Sequence, residues 1–156
     1  MLITVRDASI EDLDALAPLF DAYRQFYGQA PDLALARAYL ADRFQHQESE
    51  VLVAETSTHG LLGFSQLYPG FSSVGACRAY VLNDLYVVPE ARRRGVAVAL
   101  LRKSAEVARL HGASRLSLST ARDNAAAQRL YQAEGWQRDE EFLHFSLALQ
   151  SQNSPR

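Results

Sequence analysis

The spacing of apolar residues changes several times along the first half of the chain, and each change marks a predicted element. Residues 2–6 alternate apolar and polar side chains as a short strand does, and the pattern of Ser9 with Asp12 predicts a capping box before a helix. Apolar and aromatic residues from Leu13 to Tyr27 then recur at intervals of three and four, which places them on one helix face. Further along, the pattern predicts a second helix over 33–46, strands over 51–54 and 61–68, and a strand end at Pro69-Gly70.

The second half contains a nearly continuous apolar run from Cys77 to Val88, which is typical of a strand buried on both faces. Only Asn83 and Asp84 interrupt it, and two adjacent polar residues in a central strand indicate a bulge or a functional edge. A strand-helix-strand crossover needs helical cover, so we predict a mixed sheet with helices on both faces, of the α/β class bordering on α+β. The remaining predicted elements are a helix from about Gly95 to 111, a strand over 115–120, a helix over 123–134 and a last strand over 143–149.

Length and composition narrow the class of protein. The 156 residues, 48% apolar and 22% charged, suit one globular domain over residues 1–150 followed by a flexible tail over 151–156. The net charge of −2 argues against a nucleic-acid partner, which favours a basic excess. No apolar run is long enough to span a bilayer and no signal-peptide pattern is present, so we expect no membrane partner and a cytoplasmic protein.

Metal chemistry is not indicated by the sequence. Cys77 is the only cysteine, so neither an internal disulfide nor a Cys-based zinc site can form. The four histidines show no metal-ligand spacing. We therefore expect no metal cofactor.

The clearest chemical signal lies in residues 85–101, where a strand ends, a basic turn of Arg92, Arg93 and Arg94 follows, and a helix begins at about Gly95. The first N–H groups of a helix lack an intrahelical partner and the helix dipole is positive there, so this geometry stabilises a pyrophosphate. Glycine permits close approach to the backbone, and charged donors strengthen bonds to phosphate. A run of charge is also typical of a solvated turn, and the dinucleotide pattern G-x-G-x-x-G is absent.

Two motifs resemble those of the GNAT superfamily of acetyltransferases. Residues 92–97 resemble its coenzyme A loop, Gln/Arg-x-x-Gly-x-Gly/Ala, and residues 124–136, NAAAQRLYQAEGW, resemble its second motif, N-x-x-A-x-x-L-Y-x-x-x-G-F/W. The resemblance spans roughly residues 2–149. It implies a mixed, mostly antiparallel sheet of about six to seven strands flanked by about four helices, with a V-shaped splay that holds acetyl-coenzyme A.

The same resemblance implies roles for individual residues. Backbone groups of Leu85, Tyr86 and Val87 would hold the pantetheine and acetyl group, and an N–H near Val87 would polarise the acetyl carbonyl. Asn124 would bind the cofactor arm, and Tyr131 would protonate the departing thiolate, although without the motif Tyr131 equally fits a packing role. The residues expected to surround the pyrophosphate are Arg92, Arg93, Arg94, Gly95, Val96, Ala97 and Val98.

The sequence defines the acceptor site less well. Polyamine-type relatives often carry Glu at the position of Asn83, and Asn cannot accept a proton at neutral pH. Strand alternation points Asp84 to the opposite face unless a bulge intervenes. We therefore expect Asn83 to bind or orient the amine while water or another segment removes its proton. Tyr27 forms either part of an amine-contacting wall or part of the apolar helix face.

Three functional classes stay open. The favoured one is transfer of an acetyl group from acetyl-coenzyme A to a primary amine of a small molecule, such as a polyamine or amino acid, by direct attack on the thioester. The alternatives are an acetyltransferase for protein lysines or N-termini, and a non-catalytic acyl-coenzyme A-binding module. The alternation over 143–149 allows a homodimer through the last strand and equally fits a strand that covers its own core.

Overall fold

The computed structural model describes residues 2–150 of the chain. Its contacts divide the chain into two compact units, one that ends at Ala121 and one that begins at Arg122. The single domain expected over residues 1–150 stays a prediction, and the flexible tail expected over 151–156 lies outside the described residues.

The observed elements follow the predicted order for most of the chain. The helix predicted over 33–46 is confirmed at both ends, and none of the helices within residues 2–150 is long and apolar enough to cross a bilayer. The first unit contains β1 (Thr4–Asp7), α1 (Leu13–Phe26), α2 (Leu33–His46), β2 (Glu50–Thr56), β3 (Gly60–Ser72), β4 (Cys77–Val87), α3 (Val96–Leu110) and β5 (Ala113–Ser117), and the second contains α4 (Ala125–Ala133).

Local hydrogen bonds explain where the helices begin and end. The side chain of Asp12 accepts a hydrogen bond from the backbone N–H of Ser9 at 2.8 Å, in agreement with the predicted capping box, and α1 follows directly. Oδ1 of Asp32 accepts from the backbone N–H of Leu35 at 3.0 Å and so caps α2. The chain leaves α3 through Gly112, whose φ of +84° lies in the region that favours glycine.

Within residues 2–150 the sheet contains five strands, in the order β1-β2-β3-β4-β5. Neighbouring strands are antiparallel except β4 and β5, which are parallel and connected through α3. The sheet is therefore mixed and mostly antiparallel, as predicted, with fewer strands than expected in the described part of the chain. β5 pairs with β4 only from Arg78 to Val81, so residues 82–87 of β4 have no strand partner on that side in the part of the chain that the structure describes. This interrupted pairing is the predicted splay.

Buried side chains cover both faces of the sheet. On one face, α1 and α2 contribute Leu16, Phe20 and Leu40, which pack with Phe64 of β3. On the other face, α3 contributes Leu100, which packs with residues of β2 and β3. Burial of one such side chain contributes about 1.5–3 kcal/mol, so these two clusters hold the sheet between its helices.

β3 is longer than the sequence predicts. Pro69-Gly70 was expected to end it, but the strand continues to Ser72. β2 pairs with β3 only as far as Leu67, so from Tyr68 onward β4 is the only neighbouring strand that pairs with β3 within residues 2–150. Proline is tolerated in such an edge segment because one side of the strand needs no N–H donor.

The strand predicted over residues 143–149 is wrong, since no strand occurs anywhere in 137–150. The alternating apolar side chains are exposed instead, and Phe145 reaches 91% exposure. Alternation identifies side chains that share a face, but a strand also needs a neighbour to receive its backbone hydrogen bonds. The pattern of residues in one segment does not supply that neighbour.

Candidate functional site

The free edge of β4 lies immediately before the basic turn. β3 pairs with β4 as far as Val87, while the pairing with β5 ends at Val81. The three residues expected to hold the pantetheine and acetyl group, 85–87, lie in this half-open stretch. Leu85 packs against the α3 side of the sheet and Tyr86 against the side covered by α1 and α2. An open strand edge can receive an extended ligand through main-chain hydrogen bonds.

The basic turn enters α3 in a strongly bent conformation. Arg93 has φ +62° and Gly95 has φ +83°, and the helix begins at Val96. The first helical hydrogen bond runs from the N–H of Ala99 to the carbonyl oxygen of Gly95 at 3.0 Å. The N–H groups of residues 96–98 therefore precede the helical ladder, and they find no acceptor in the described part of the chain. Such groups favour an anion.

The surroundings of Gly95 leave room for that anion. A Cβ built on Gly95 would meet no heavy atom within 4 Å, so none of residues 2–150 packs in front of this residue. The exposed side chains of Arg93 and Arg94 form no hydrogen bond or ion pair with residues 2–150. Free N–H groups, two available cations and open space at a glycine fit the pyrophosphate of a coenzyme A derivative.

Arg92 differs from the two arginines that follow it. Its Nε donates a hydrogen bond to the carbonyl oxygen of Val87 at 2.9 Å, and its guanidinium lies 5.6 Å from the ring centroid of Tyr86. These contacts brace the turn against the end of β4 and occupy the Val87 carbonyl. Only the Nη groups of Arg92 remain for a phosphate.

The second motif lies in the unit that begins at Arg122. Asn124 precedes α4, and its Oδ1 accepts a hydrogen bond from the N–H of Ala127 at 3.2 Å, so this side chain caps the helix. The Nδ2 group remains as a donor. Tyr131 lies on α4 with its ring centroid 6.1 Å from that of Trp136, and its carbonyl oxygen accepts from the Trp136 N–H at 2.9 Å. Gly135, at φ +91°, ends the helix as predicted.

A cavity of about 300 Å³ lies between α1, α2 and the middle of β4. Along β3, Gln66 pairs with Asp84 and Leu67 with Leu82, so Asn83 is an extra residue in β4 and forms a β-bulge. The bulge that the sequence suggested is therefore confirmed. The lining side chains are Phe20, Tyr23 and Arg24 of α1, Leu35 and Tyr39 of α2, Tyr68 of β3, and Asn83 and Asp84 of β4.

The bulge decides which way Asp84 points. Before the bulge, Tyr80 packs with Ala108 of α3. After it, Tyr86 packs against the cluster of α1 and α2, on the other face of the sheet. In a regular strand residues 80 and 86 would share one face, because side chains alternate with a period of two. The extra residue shifts this alternation and turns Asp84 into the cavity, which is the orientation that the sequence left open for the case of a bulge.

Asp84 is held rigidly at this position. It is only 2% exposed. Its Oδ1 accepts a hydrogen bond from Nδ2 of Asn83 at 2.8 Å, and its Oδ2 accepts from Nε2 of Gln66 at 2.5 Å. Oε1 of Gln66 in turn accepts from Oγ of Ser49 at 2.8 Å, which orients the Gln66 amide toward Asp84.

The environment of Asp84 also changes its acidity. Burial raises the pKa of its carboxyl group above the usual value, and this effect outweighs the hydrogen bonds that lower it. A carboxyl group with a raised pKa in a cavity is a candidate proton acceptor at neutral pH.

Aromatic rings form the walls of the cavity. The rings of Phe20 and Tyr39 stack with centroids 5.4 Å apart, and the hydroxyl groups of Tyr39 and Tyr68 are hydrogen-bonded at 2.6 Å. Tyr23 donates from its hydroxyl group to the carbonyl oxygen of Asn83 at 3.0 Å. Burial and the neighbouring Tyr39 raise the pKa of Tyr68, so its hydroxyl group stays protonated. Such rings attract a cationic group through their faces.

The structure separates the two residues predicted to contact the acceptor. Asn83 lines the cavity, whereas Tyr27 follows the end of α1, is 53% exposed and does not line it. Sequence reasoning considered Asp84 but did not include it among the site residues, because its direction depended on a bulge; the polar Asn83-Asp84 pair in an apolar strand was the signal. Sequence reasoning missed Arg24, Tyr39 and Tyr68, which come from three different elements and share no spacing pattern. No cluster of three or more potential metal ligands occurs within residues 2–150.

Known proteins resemble this chain over most of its length. The family model described as "Acetyltransferase (GNAT) family" matches residues 14–136. A Bacillus subtilis (strain 168) protein named "Uncharacterized N-acetyltransferase YhfO" is 44% identical over 145 residues, which cover 93% of this chain and 97% of that protein. A "Probable acetyltransferase" of Haemophilus influenzae is 29% identical over 138 residues, 88% of this chain and 92% of that protein. A crystal structure of a probable acetyltransferase has a TM-score of 0.88 at 41% identity and covers 97% of this chain and 100% of that one.

Proposed function

This chain belongs to the GNAT family of acetyltransferases, and from that premise we propose that it transfers an acetyl group from acetyl-coenzyme A to the primary amine of a small molecule. As a member of the family it is an acyltransferase that transfers groups other than aminoacyl groups. The identity of the donor and the class of the acceptor belong to the proposal.

The turn and first helical turn of α3 support acetyl-coenzyme A as the donor. Residues 93–98 offer the pyrophosphate free N–H groups and two arginines that no described residue neutralises. Arg92 holds the turn against β4 through the Val87 carbonyl oxygen. When bound, acetyl-coenzyme A supplies the acetyl group as an activated thioester.

The single observation that carries the proposal is the order of groups along β4. Asn83 and Asp84 line the cavity. The three residues that follow them, 85–87, form the open strand edge. An amine in the cavity and an acyl group on the edge would therefore meet within a few residues of one strand, which favours direct attack because both reactants are held in place.

The proposed chemistry assigns a task to each side chain. Asp84 accepts a proton from the ammonium group so that a neutral amine attacks, and Asn83 orients that amine. By the family motif, Asn124 binds the cofactor arm and Tyr131 donates a proton to the departing sulfur.

A protein lysine or N-terminus is the alternative acceptor, and a non-catalytic acyl-coenzyme A-binding role is the third possibility. Several lining residues come from helices that cover Asp84, and only 2% of this side chain is exposed, which favours a small molecule over a polypeptide. A carboxyl group oriented in the acceptor cavity argues for catalysis, because cofactor binding alone needs no proton acceptor. We also propose a cytoplasmic location and a homodimer, the latter through the exposed apolar residues 143–149.

The experiment is thiol release from acetyl-coenzyme A across a panel of amino acids, polyamines and lysine peptides, with Tyr131→Phe as the matched variant. The proposal expects release with at least one small amine and a large loss of kcat in Tyr131→Phe. Release with lysine peptides alone would favour the protein-directed alternative. Tight binding of acetyl-coenzyme A without release for any amine would favour the non-catalytic role.

A further inference from the structure

The acceptor cavity contains two charged groups that have no opposite charge as a partner among the described residues. The first is Asp84, the most buried of the lining side chains. Its hydrogen bonds come from neutral groups, the amides of Asn83 and Gln66 and the hydroxyl group of Tyr23, and it forms no ion pair with any described residue. Burying a carboxylate without a cation is unfavourable, so this group favours a ligand that brings a positive charge.

The second group is Arg24, which lines the same cavity from α1. Its guanidinium forms no hydrogen bond or ion pair within residues 2–150. The acidic residue nearest to it on α1, Asp21, is already occupied, because its carboxylate accepts from the N–H of Asp32 at 3.0 Å and from Nε2 of Gln25 at 3.1 Å. Arginine stays protonated at physiological pH, and its planar fork fits a carboxylate in a bidentate manner.

We infer that the acceptor is a small zwitterion, an amine that also carries a free carboxylate, with its amine at Asp84 and its carboxylate at Arg24. This inference rests on the proposed function and narrows its substrate class. A polyamine would bring a second cation toward Arg24, where like charges repel. An amine within a peptide has no free carboxylate beside it. The cavity volume of about 300 Å³ lies at the lower end of small-molecule sites and suits an amino acid.

The proton balance assigns one role to each group. The ammonium form of the substrate gives one proton to Asp84, and the neutral nitrogen then forms a bond to the acetyl carbonyl carbon. As the carbon–sulfur bond breaks, Tyr131 donates a proton to the sulfur. The nitrogen loses its second proton, which restores the proton on Tyr131. Asp84 returns its proton to solvent, so one proton is released per acetyl group transferred. Arg24 exchanges no proton and acts only by holding the carboxylate.

The test compares amines that differ only in the carboxylate. Suitable pairs are phenylalanine with phenethylamine, alanine with ethylamine, and lysine with cadaverine, each measured for kcat/KM with acetyl-coenzyme A. We expect the carboxylate-bearing member to be preferred at least tenfold in the pair that fits the cavity best. The preference should arise mainly in KM, since Arg24 binds and does not react.

Variants show which residue binds the carboxylate of the substrate. Arg24→Gln should reduce the preference at least tenfold, and Arg24→Lys should restore part of it. Arg37→Gln is the matched control, because Arg37 is also a helical arginine but pairs with Asp14 at 2.9 Å and does not line the cavity. Asp84→Asn should lower kcat for both members of a pair. The Kd of coenzyme A should stay within twofold in every variant, which verifies that the protein is folded.

The outcomes separate the inference from the proposed function. Acetylation without any preference for the carboxylate, or an equal preference in Arg24→Gln and wild type, overturns the zwitterion and leaves the proposed function standing. A preference that disappears in Arg24→Gln and survives in Arg37→Gln supports the inference. Absence of transfer to every amine, despite binding of acetyl-coenzyme A, overturns both.

Discussion

Comparing Gly95→Ala with Gly112→Ala distinguishes the effect of a side chain on backbone strain from its effect on ligand binding. Both glycines border α3, with φ +83° and +84°, and a Cβ at either would meet no heavy atom within 4 Å. A side chain in this left-handed region costs about 1–2 kcal/mol, so both variants should lose the same stability. For a chain of this length each kcal/mol lowers Tm by about 2–4 °C.

Binding should distinguish the two variants. The methyl group at position 95 projects into the open space before the free N–H groups of residues 96–98, where we propose that the pyrophosphate lies. The methyl group at position 112 lies at the other end of the helix. We expect Gly95→Ala to raise the Kd of coenzyme A about tenfold, or 1.4 kcal/mol, and Gly112→Ala to change it less than twofold.

Isothermal titration with coenzyme A, together with a thermal melt of each variant, measures both quantities. Equal stability loss with a selective loss of affinity in Gly95→Ala supports the phosphate-binding turn. The reasoning is refuted if the two variants bind coenzyme A equally well, because Gly95 would then serve the backbone alone.

Three further predictions concern packing, catalysis and pH. Gly63→Ala should lower the free energy of unfolding by about 1–3 kcal/mol, because its Cβ would lie 2.5 Å from a carbonyl oxygen of β4. Gly70→Ala should lower it less, because the nearest atom to its Cβ lies at 3.5 Å. Equal losses in chemical denaturation would contradict this account of β3 packing. Tyr131→Phe should lower kcat about 100-fold or more while the Kd of coenzyme A stays within twofold, and an unchanged kcat in steady-state assays would remove Tyr131 as the acid. The hydrogen bonds from Arg6 lower the pKa of Asp12 below its ordinary value of 3.8. This pair therefore stabilises the folded protein at pH values above 3.8, and the stabilisation is lost as the pH falls through the lowered pKa. Melts against pH should therefore show a shallower acid-side decline in Asp12→Asn than in wild type, and identical curves would argue against the pair.

The sequence predicts the parts of the fold whose signals are local. The second helix was predicted over 33–46 and is observed at those residues, because its ends are set by Asp32 and by the chain reversal at Gln47, in the left-handed region. The phosphate-binding turn was equally accessible, since strand, basic residues and Gly95 are consecutive. Such features depend on a few neighbouring residues, whose chemistry the sequence displays directly.

Features that depend on distant partners were predicted less well. The alternating residues 143–149 indicated a strand, but alternation does not identify the neighbour that a strand needs. Asp84 was located, but its face depended on whether β4 contains a bulge, because a single extra residue in β4 reverses every later side chain. The cavity itself unites Arg24, Tyr39 and Tyr68 from three elements, and only the packing of those elements brings them together.

The central claim is that the chain moves an acetyl group from acetyl-coenzyme A to a small amine. Its most direct test is mass spectrometry of a reaction with acetyl-coenzyme A labelled with carbon-13 in the acetyl group, using the best amine of the panel. The account predicts that the label appears on the amine nitrogen as an N-acetyl product, in amounts that exceed the enzyme many times over. Label found only in free acetate, or only on the protein itself, would contradict it.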